Sequence, residues 1–401
     1  MFSSFFKRAP APAKTIIPTQ VIPAMFTANS MNSMNSMNSS QSQSSSSSNS
    51  IQSIQSKSPQ YSFTDETFVK NLAKTLEPNV VFSPLSITFI LSVLQLAARG
   101  ESLKQIASVL KREANDNELF FIKNCFNNDI ITLCNMMLVN NKSSINKDFV
   151  KKVSTVAEIK SIDFSNGKNV ANLANNYIET NTKGLIKNVL SKDQITSSSI
   201  LVLINCIYFK AQWKKAFKKE LITKKFFNNN KEVDMMMITK VFDYGENDYC
   251  QVVELPYKDE EFVMGFILKK IPGTNSSIMP SIMNKTRVQV SIPKFTHRSK
   301  LDLIPTMKEL GLINIFDAGK SELDLAANTT YVSTLIHEVV VIVDHIGTEA
   351  AAVTVVVCDN ESLFVKTKPD PIIFNANRTF DYYIKHKSSV IIFSGNFTGG
   401  N

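Results

Sequence analysis

Acidic residues are missing from the first 64 positions: the chain has no Asp or Glu before Asp65, whereas Lys7, Arg8, Lys14 and Lys57 are basic. By charge alone this resembles an organelle transit segment. A secretory leader is not expected, because Lys7, Arg8, Lys14, Pro10, Pro12 and Pro18 interrupt every apolar stretch at the front end. No run of eighteen apolar residues occurs anywhere, so no helix spans a membrane. The four histidines (His297, His337, His345, His386) are too scattered for HExxH or a Cys/His metal site. Five cysteines, Cys125, Cys134, Cys206, Cys250 and Cys358, are odd in number and show no CxxC spacing. A disulfide framework is therefore not expected; several sit in apolar runs, where a free thiol behaves as a small hydrophobe. GxSxG and GxGxxG are absent, and the Gly319-Lys320-Ser321 triplet lacks the leading glycine and strand of a phosphate loop. The chain reads as no enzyme, with no cofactor and no metal.

What is present is a long globular segment behind a polar tail. From Asn29 to Gln60 the residues are mostly Ser, Asn, Gln and Met, a composition that cannot bury enough apolar surface to offset chain entropy, so residues 1–60 are expected to be a disordered extension. The remaining chain, 61–401, supplies most of the 43% apolar residues and is read as one domain. The net charge is +9, about +5 without the tail's four cations. Lysines cluster from Lys210 to Lys225, as a solvated strip or a polyanion site; no nucleic-acid or membrane partner is indicated.

Ser83 suits a helix N-cap, Pro84 the first turn, and Gly100 a C-terminal stop, around the apolar ITFILSVLQLAA. A helix apolar on all sides belongs inside a domain. Further helical patterns fall at Glu66–Thr75, Ser102–Leu110, Asn169–Thr180 and Leu301–Leu310. Strands are expected at Ile200–Phe209, Gln251–Leu255, Phe262–Leu268, Arg287–Ile292, Ile336–Asp344 and Val390–Phe397. Asn205 is out of place within ILVLINCIYF, since a buried amide costs a few kcal/mol unless a neighbour pairs with it. Helices first and strands afterwards, with no regular alternation, indicate an α+β fold with large mixed sheets.

The segment GTEAAAVTVVV, Gly347 to Val357, follows a β-branched strand. Gly347 suits a hinge through its backbone freedom. Thr348, Ala350, Ala352, Thr354 and Val356 then form one small or β-branched face, with Glu349, Ala351 and Val353 on the other. Composition fits both an ordinary strand and a loop able to enter a sheet.

Motifs in a fixed order decide between these. NVVFSPLSI, AEIKSIDFSN, TNTKGLI, LVLINCIYFKAQW, QVVELPYK, SIPKF, GTEAAAVT and FNANRTFDYYI with IIFSGNF, spread from about Tyr61 to Gly399, resemble the serpins. The resemblance implies three mixed or antiparallel sheets, eight to nine helices and an exposed reactive-centre loop at about 347–372. It implies a suicide-substrate inhibitor of serine, by extension cysteine, endopeptidases. A monomer is implied, its one partner a target protease held covalently. The alternative within the family is a non-inhibitory member used for binding, storage or chaperoning. Ser83, Ser86, Asn205 and His337 match the family's shutter positions; Trp213 and Lys294 match the breach, where the loop first enters. Counting forward from Gly347 puts the scissile bond at Glu361–Ser362; a trypsin-like enzyme would use Lys366–Thr367 instead, and counting back from Phe380 gives Lys368–Pro369. Departures from the family pattern are His345 and Ile346 before the hinge, Val353 within it, and Tyr177, Ala211 and Thr379 elsewhere. The missing secretory core and unpaired cysteines favour a cytoplasmic protein, with an extracellular one as the family alternative.

Overall fold

A computed structural model describes residues 64–113, 119, 122–124, 126, 128–271, 279–323, 330–348 and 369–399. The tail, the segment 349–368, Cys125 and Cys358 lie outside the described residues.

One sheet carries β2 (Ile131–Asn140), β3 (Glu158–Ile162), β4 (Leu201–Phe209), β5 (Ala211–Gln212), β11 (Phe295–Asp302), β12 (Val332–Val343) and β13 (Gly347–Thr348). Its order is β3-β2-β4-β12, with β13 and β5 extending one end of the ladder and β11 on the far side of β12. The other network joins β1 (Val81–Phe82), β6 (Thr223–Phe227), β7 (Lys231–Glu246), β8 (Cys250–Pro256), β9 (Phe262–Lys269), β10 (Asn284–Pro293), β14 (Ile372–Asn375), β15 (Phe380–His386) and β16 (Ile391–Phe397). Within it β7 is shared: Met235–Tyr244 pair with β10, and Asp243–Glu246 pair with β8. The long strand thus ties the β6/β10/β14 group to the β8/β9/β15/β16 group in one nine-stranded sheet beside the seven-stranded one.

Helix α1 (Glu66–Thr75) falls where the sequence pattern put it, capped by Asp65. Helix α2 (Pro84–Ala97) starts as expected, with the Ser83 hydroxyl accepting from the Ser86 N–H. Every residue but Leu96 is buried, and the helix lies under β4 and β16. Gly100 does not stop it. The helix ends at Ala97, and Gly100 opens α3 (Gly100–Leu110) at φ +54°. A Cβ there would sit 2.1 Å from the Glu322 carboxylate, which caps the Glu101 and Ser102 N–H groups. Helices α4 (Lys147–Val153) and α5 (Gly167–Asn181) follow; α5 contacts β2. The helical pattern from Leu301 shortens to α6 (Leu303–Glu309), because Leu301 and Asp302 pair with His337 and Ile336.

Two cores flank the seven-stranded sheet. The larger gathers α2, Leu203, Ile207, Leu335 and Val339 with the second network. The smaller packs Ile186, Val189 and Leu190, downstream of α5, on Val202, Ile204, Cys206, Ile336 and Val340. Cys134, Cys206 and Cys250 are buried thiols, and burial raises all three, that of Cys134 to about 12. They serve as small apolar side chains.

Candidate functional site: the seam between β4 and β12

Strand β4 pairs with β12 in parallel from Leu201↔Val332 to Tyr208↔Val340. Beyond Val340 the two strands no longer pair, and the chain folds back to set Gly347–Thr348 between them. Thr348 pairs with Val343 on one side and Ala211 on the other, antiparallel to both. Asp344 makes the reversal: its carboxylate accepts from the N–H groups of Ile346 (2.8 Å) and Gly347 (3.0 Å), and its own N–H donates to Gly347 O (2.8 Å). The Trp213 N–H donates to Ile346 O (2.9 Å) and the Phe217 N–H to His345 O (2.8 Å).

Gly347 is required here for closeness rather than for its own backbone angle. Its φ lies outside the left-handed region, but a Cβ would stand 2.1 Å from Ala211 O and 2.6 Å from Gln212 Cα. Thr348 is fully buried on the larger core's side, its hydroxyl 2.7 Å from that of Tyr257. Burial raises the Tyr257 phenol far above its ordinary range, so the pair stays neutral. Tyr257 stacks on Trp213 at 4.6 Å, and Trp213 Nε1–H donates to Asp344 O (2.9 Å). Lys294 precedes Phe295, which pairs with Val343, so its backbone borders the same end of the sheet; its N–H donates to Asp234 O (2.8 Å).

Further along the seam runs a polar row. Asn135 of β2, Asn205 of β4 and His337 of β12 are in register across three strands. Asn205 is completely satisfied. Its Oδ1 accepts from Ser86 Oγ (2.9 Å) and His337 Nδ1 (2.6 Å), and its Nδ2 donates to Ser86 O (3.1 Å) and Asn135 Oδ1 (2.5 Å). The Ser83 N–H donates to His337 Nε2 (3.0 Å), which fixes the tautomer with the proton on Nδ1. Burial lowers His337 to about 3, so the imidazole is neutral at physiological pH. Ser83, Ser86, Asn205 and His337 are therefore brought together as one cluster.

Asn135, Tyr257 and Asp344 were not foreseen. Asn135 carried the same signal as Asn205, a lone amide inside an apolar run, ITLCNMMLVN. Asp344 stands three residues before a glycine, the spacing of a side-chain-capped turn. In the lysine strip, Lys214, Lys215, Lys218, Lys219, Lys224 and Lys225 are exposed; Lys214 pairs with Glu260 (2.8 Å) and Lys224 with Asp234 (2.9 Å).

The family model Serpin (serine protease inhibitor) matches residues 60–399. The chain belongs to the serpin family. An uncharacterized serpin-like protein of Acanthamoeba polyphaga mimivirus is 34% identical over 84% of this chain and 89% of its own. Human glia-derived nexin is 30% identical over 79% of this serpin and 86% of its own length. Among solved structures, native protease nexin-1 with heparin has a TM-score of 0.73 at 27% identity, covering 83% of this chain and 96% of that one. A highly specific serpin of the insect Tenebrio molitor has a TM-score of 0.74 at 25% identity, covering 84% and 95%.

Proposed function

We propose that this serpin is a suicide-substrate inhibitor of serine endopeptidases, which traps the acyl-enzyme by drawing its cleaved reactive loop into the seam between β4 and β12. The observation that carries this reading is β13: Gly347 and Thr348 already stand as the first two residues of an extra strand, antiparallel to both neighbours. An inserted strand would replace one parallel ladder by two antiparallel ones, a favourable exchange of backbone pairing. A native state that lacks this exchange persists for kinetic reasons.

The existing register can be extended residue by residue along both neighbours. Thr348 opposite Val343 and Ala211 then implies Ala350 opposite Val341 and Phe209, and Ala352 opposite Val339 and Ile207. Thr354 would face both His337 and Asn205, the two side chains that insertion separates, and its hydroxyl could bond to each. Small residues would meet the bulky Val339, Val341, Ile207 and Phe209, and the one polar residue of that stretch would meet the polar row. Glu349, Ala351 and Val353 would alternate onto the opposite face.

The same register bears on the scissile bond. Strand β12 reaches back to Val332, so its last partner would be residue 359. Cleavage at Glu361–Ser362 leaves a strand that fills the seam with little excess; cleavage at Lys366–Thr367 leaves seven residues beyond it. Glu361 is therefore the favoured acyl donor, and the favoured target cuts after acidic side chains.

Incubation with a panel of acid-directed, trypsin-like and chymotrypsin-like serine proteases tests both points. A covalent adduct that survives boiling in detergent, with a released fragment beginning at Ser362, is expected. Cleavage by every enzyme without any adduct or rise in melting temperature would leave the non-inhibitory alternative.

A further inference from the structure

Seam opening must also be permitted on the face turned towards α5, where one buried carboxylate is only half satisfied. Glu338 of β12 is 2% exposed; one of its oxygens accepts from Arg298 Nη1 at 2.9 Å and the other, Oε2, has no hydrogen-bond partner. Arg298, on β11, uses its second terminal nitrogen to donate to Leu185 O at 2.6 Å. Two residues on, Lys300 Nζ donates to Asn188 O at 3.3 Å.

Leu185 and Asn188 belong to the strap, residues 182–200, that leads from α5 into β4, and its Ile186, Val189 and Leu190 pack across the seam on Val202, Ile204, Ile336 and Val340. The strap is continuous with β4, whereas Arg298 and Lys300 are paired to β12. Both bonds therefore bridge the line along which β4 and β12 must separate by one strand width, about 4.8 Å. Neither can survive that displacement without the strap lifting.

Resting on the loop-insertion reading, we infer that Arg298, held by Glu338, clasps the strap over the seam and so sets how fast the sheet admits a strand. The two are positioning residues: neither touches the protease or the scissile bond. Arginine suits the task because its planar fork presents two donors in fixed directions, one for the carboxylate and one for the strap carbonyl. Glu338 faces Arg298 and Lys300 on β11 and Cys206 on β4, so no other acid competes for the guanidinium among its described neighbours on those strands. Strand insertion would bring Val353 into the gap between Cys206 and Glu338. Clasp release is thus coupled to the point at which the polar row on the opposite face parts.

The experiment uses the full chain and a synthetic acetylated peptide of residues 348–359 as the incoming strand. Trp213, the single tryptophan, stacks at the top of the seam and supplies the fluorescence signal for uptake. Arg298→Lys and Glu338→Gln are each expected to take up the peptide roughly tenfold faster than the parent chain, as loss of one hydrogen bond to a charged group implies. Urea unfolding of each variant separates this from general weakening. Unchanged uptake rates in both variants, or rates that merely follow the loss of global stability, would overturn the clasp while leaving insertion intact. If the parent chain takes up no peptide and gains no melting temperature, the insertion reading fails, and the clasp with it.

Discussion

Strand β4 has two long neighbours, and they differ in kind. Towards β2 it pairs antiparallel over Leu201 to Phe209, with β2 in turn held by α5 and β3. Towards β12 it pairs in parallel, stops at Tyr208, and admits β13 beyond. The polar row crosses both ladders, but its hydrogen bonds are concentrated on the β12 side, where Asn205, His337, Ser83 and Ser86 interlock. Asn135 adds one bond from the β2 side. An apolar junction tolerates small shifts of one strand along the other, whereas directional bonds between buried polar groups hold only one alignment.

The largest way to break this contrast is Thr348→Arg. A cation would be forced beside Tyr257 at a fully buried site, costing several kcal/mol, so β13 should leave the sheet. Proteases are then expected to cleave the variant as a substrate, with no detergent-stable adduct on a gel. Next comes Asn205→Ala, which strands Ser86, His337 and Asn135; a loss of about 3 kcal/mol is expected by urea denaturation, against about 1 kcal/mol for Asn135→Ala. Equal losses would show that the two ladders are not distinct.

Acid should act on the β12 side as well. The His337 pKa is about 3 in the fold and 6.5 as its ordinary value, so between these the unfolded chain holds a proton that the native state does not. Stability therefore falls as pH falls below about 6.5, and this residue alone contributes about 2 kcal/mol of loss by pH 5. His337→Gln should flatten the urea-midpoint profile over that range by one proton's worth. His297 and His386, also lowered by burial, keep a residual slope in the variant. The smallest effect is expected from Tyr257→Phe, which removes the bond to Thr348 but keeps the stack on Trp213; about 1 kcal/mol should be lost in thermal unfolding.

Much of this was legible in the chain. Ser83 and Pro84 began a helix because an N-cap and a proline at the first turn act locally. The lone Asn205 in an apolar run demanded a partner by elementary desolvation. What failed did so where chain-distant groups intervene. Gly100 looked like a stop, but Glu322, more than two hundred positions away, made it a start. Leu301 and Asp302 fit a helical stripe, yet pairing to β12 held them extended.

By itself, then, the sequence determined the α+β class, the family, the buried α2 and the small-residue face that follows Gly347, because periodicity, caps and each short motif are written in neighbouring residues. Only the tertiary structure decided that Gly347 is a glycine for want of room beside Ala211, that Asn135 completes the row, and that Arg298 ties the strap to β11. Each of these depends on which strands stand side by side, and a distance between strands has no local trace in the chain.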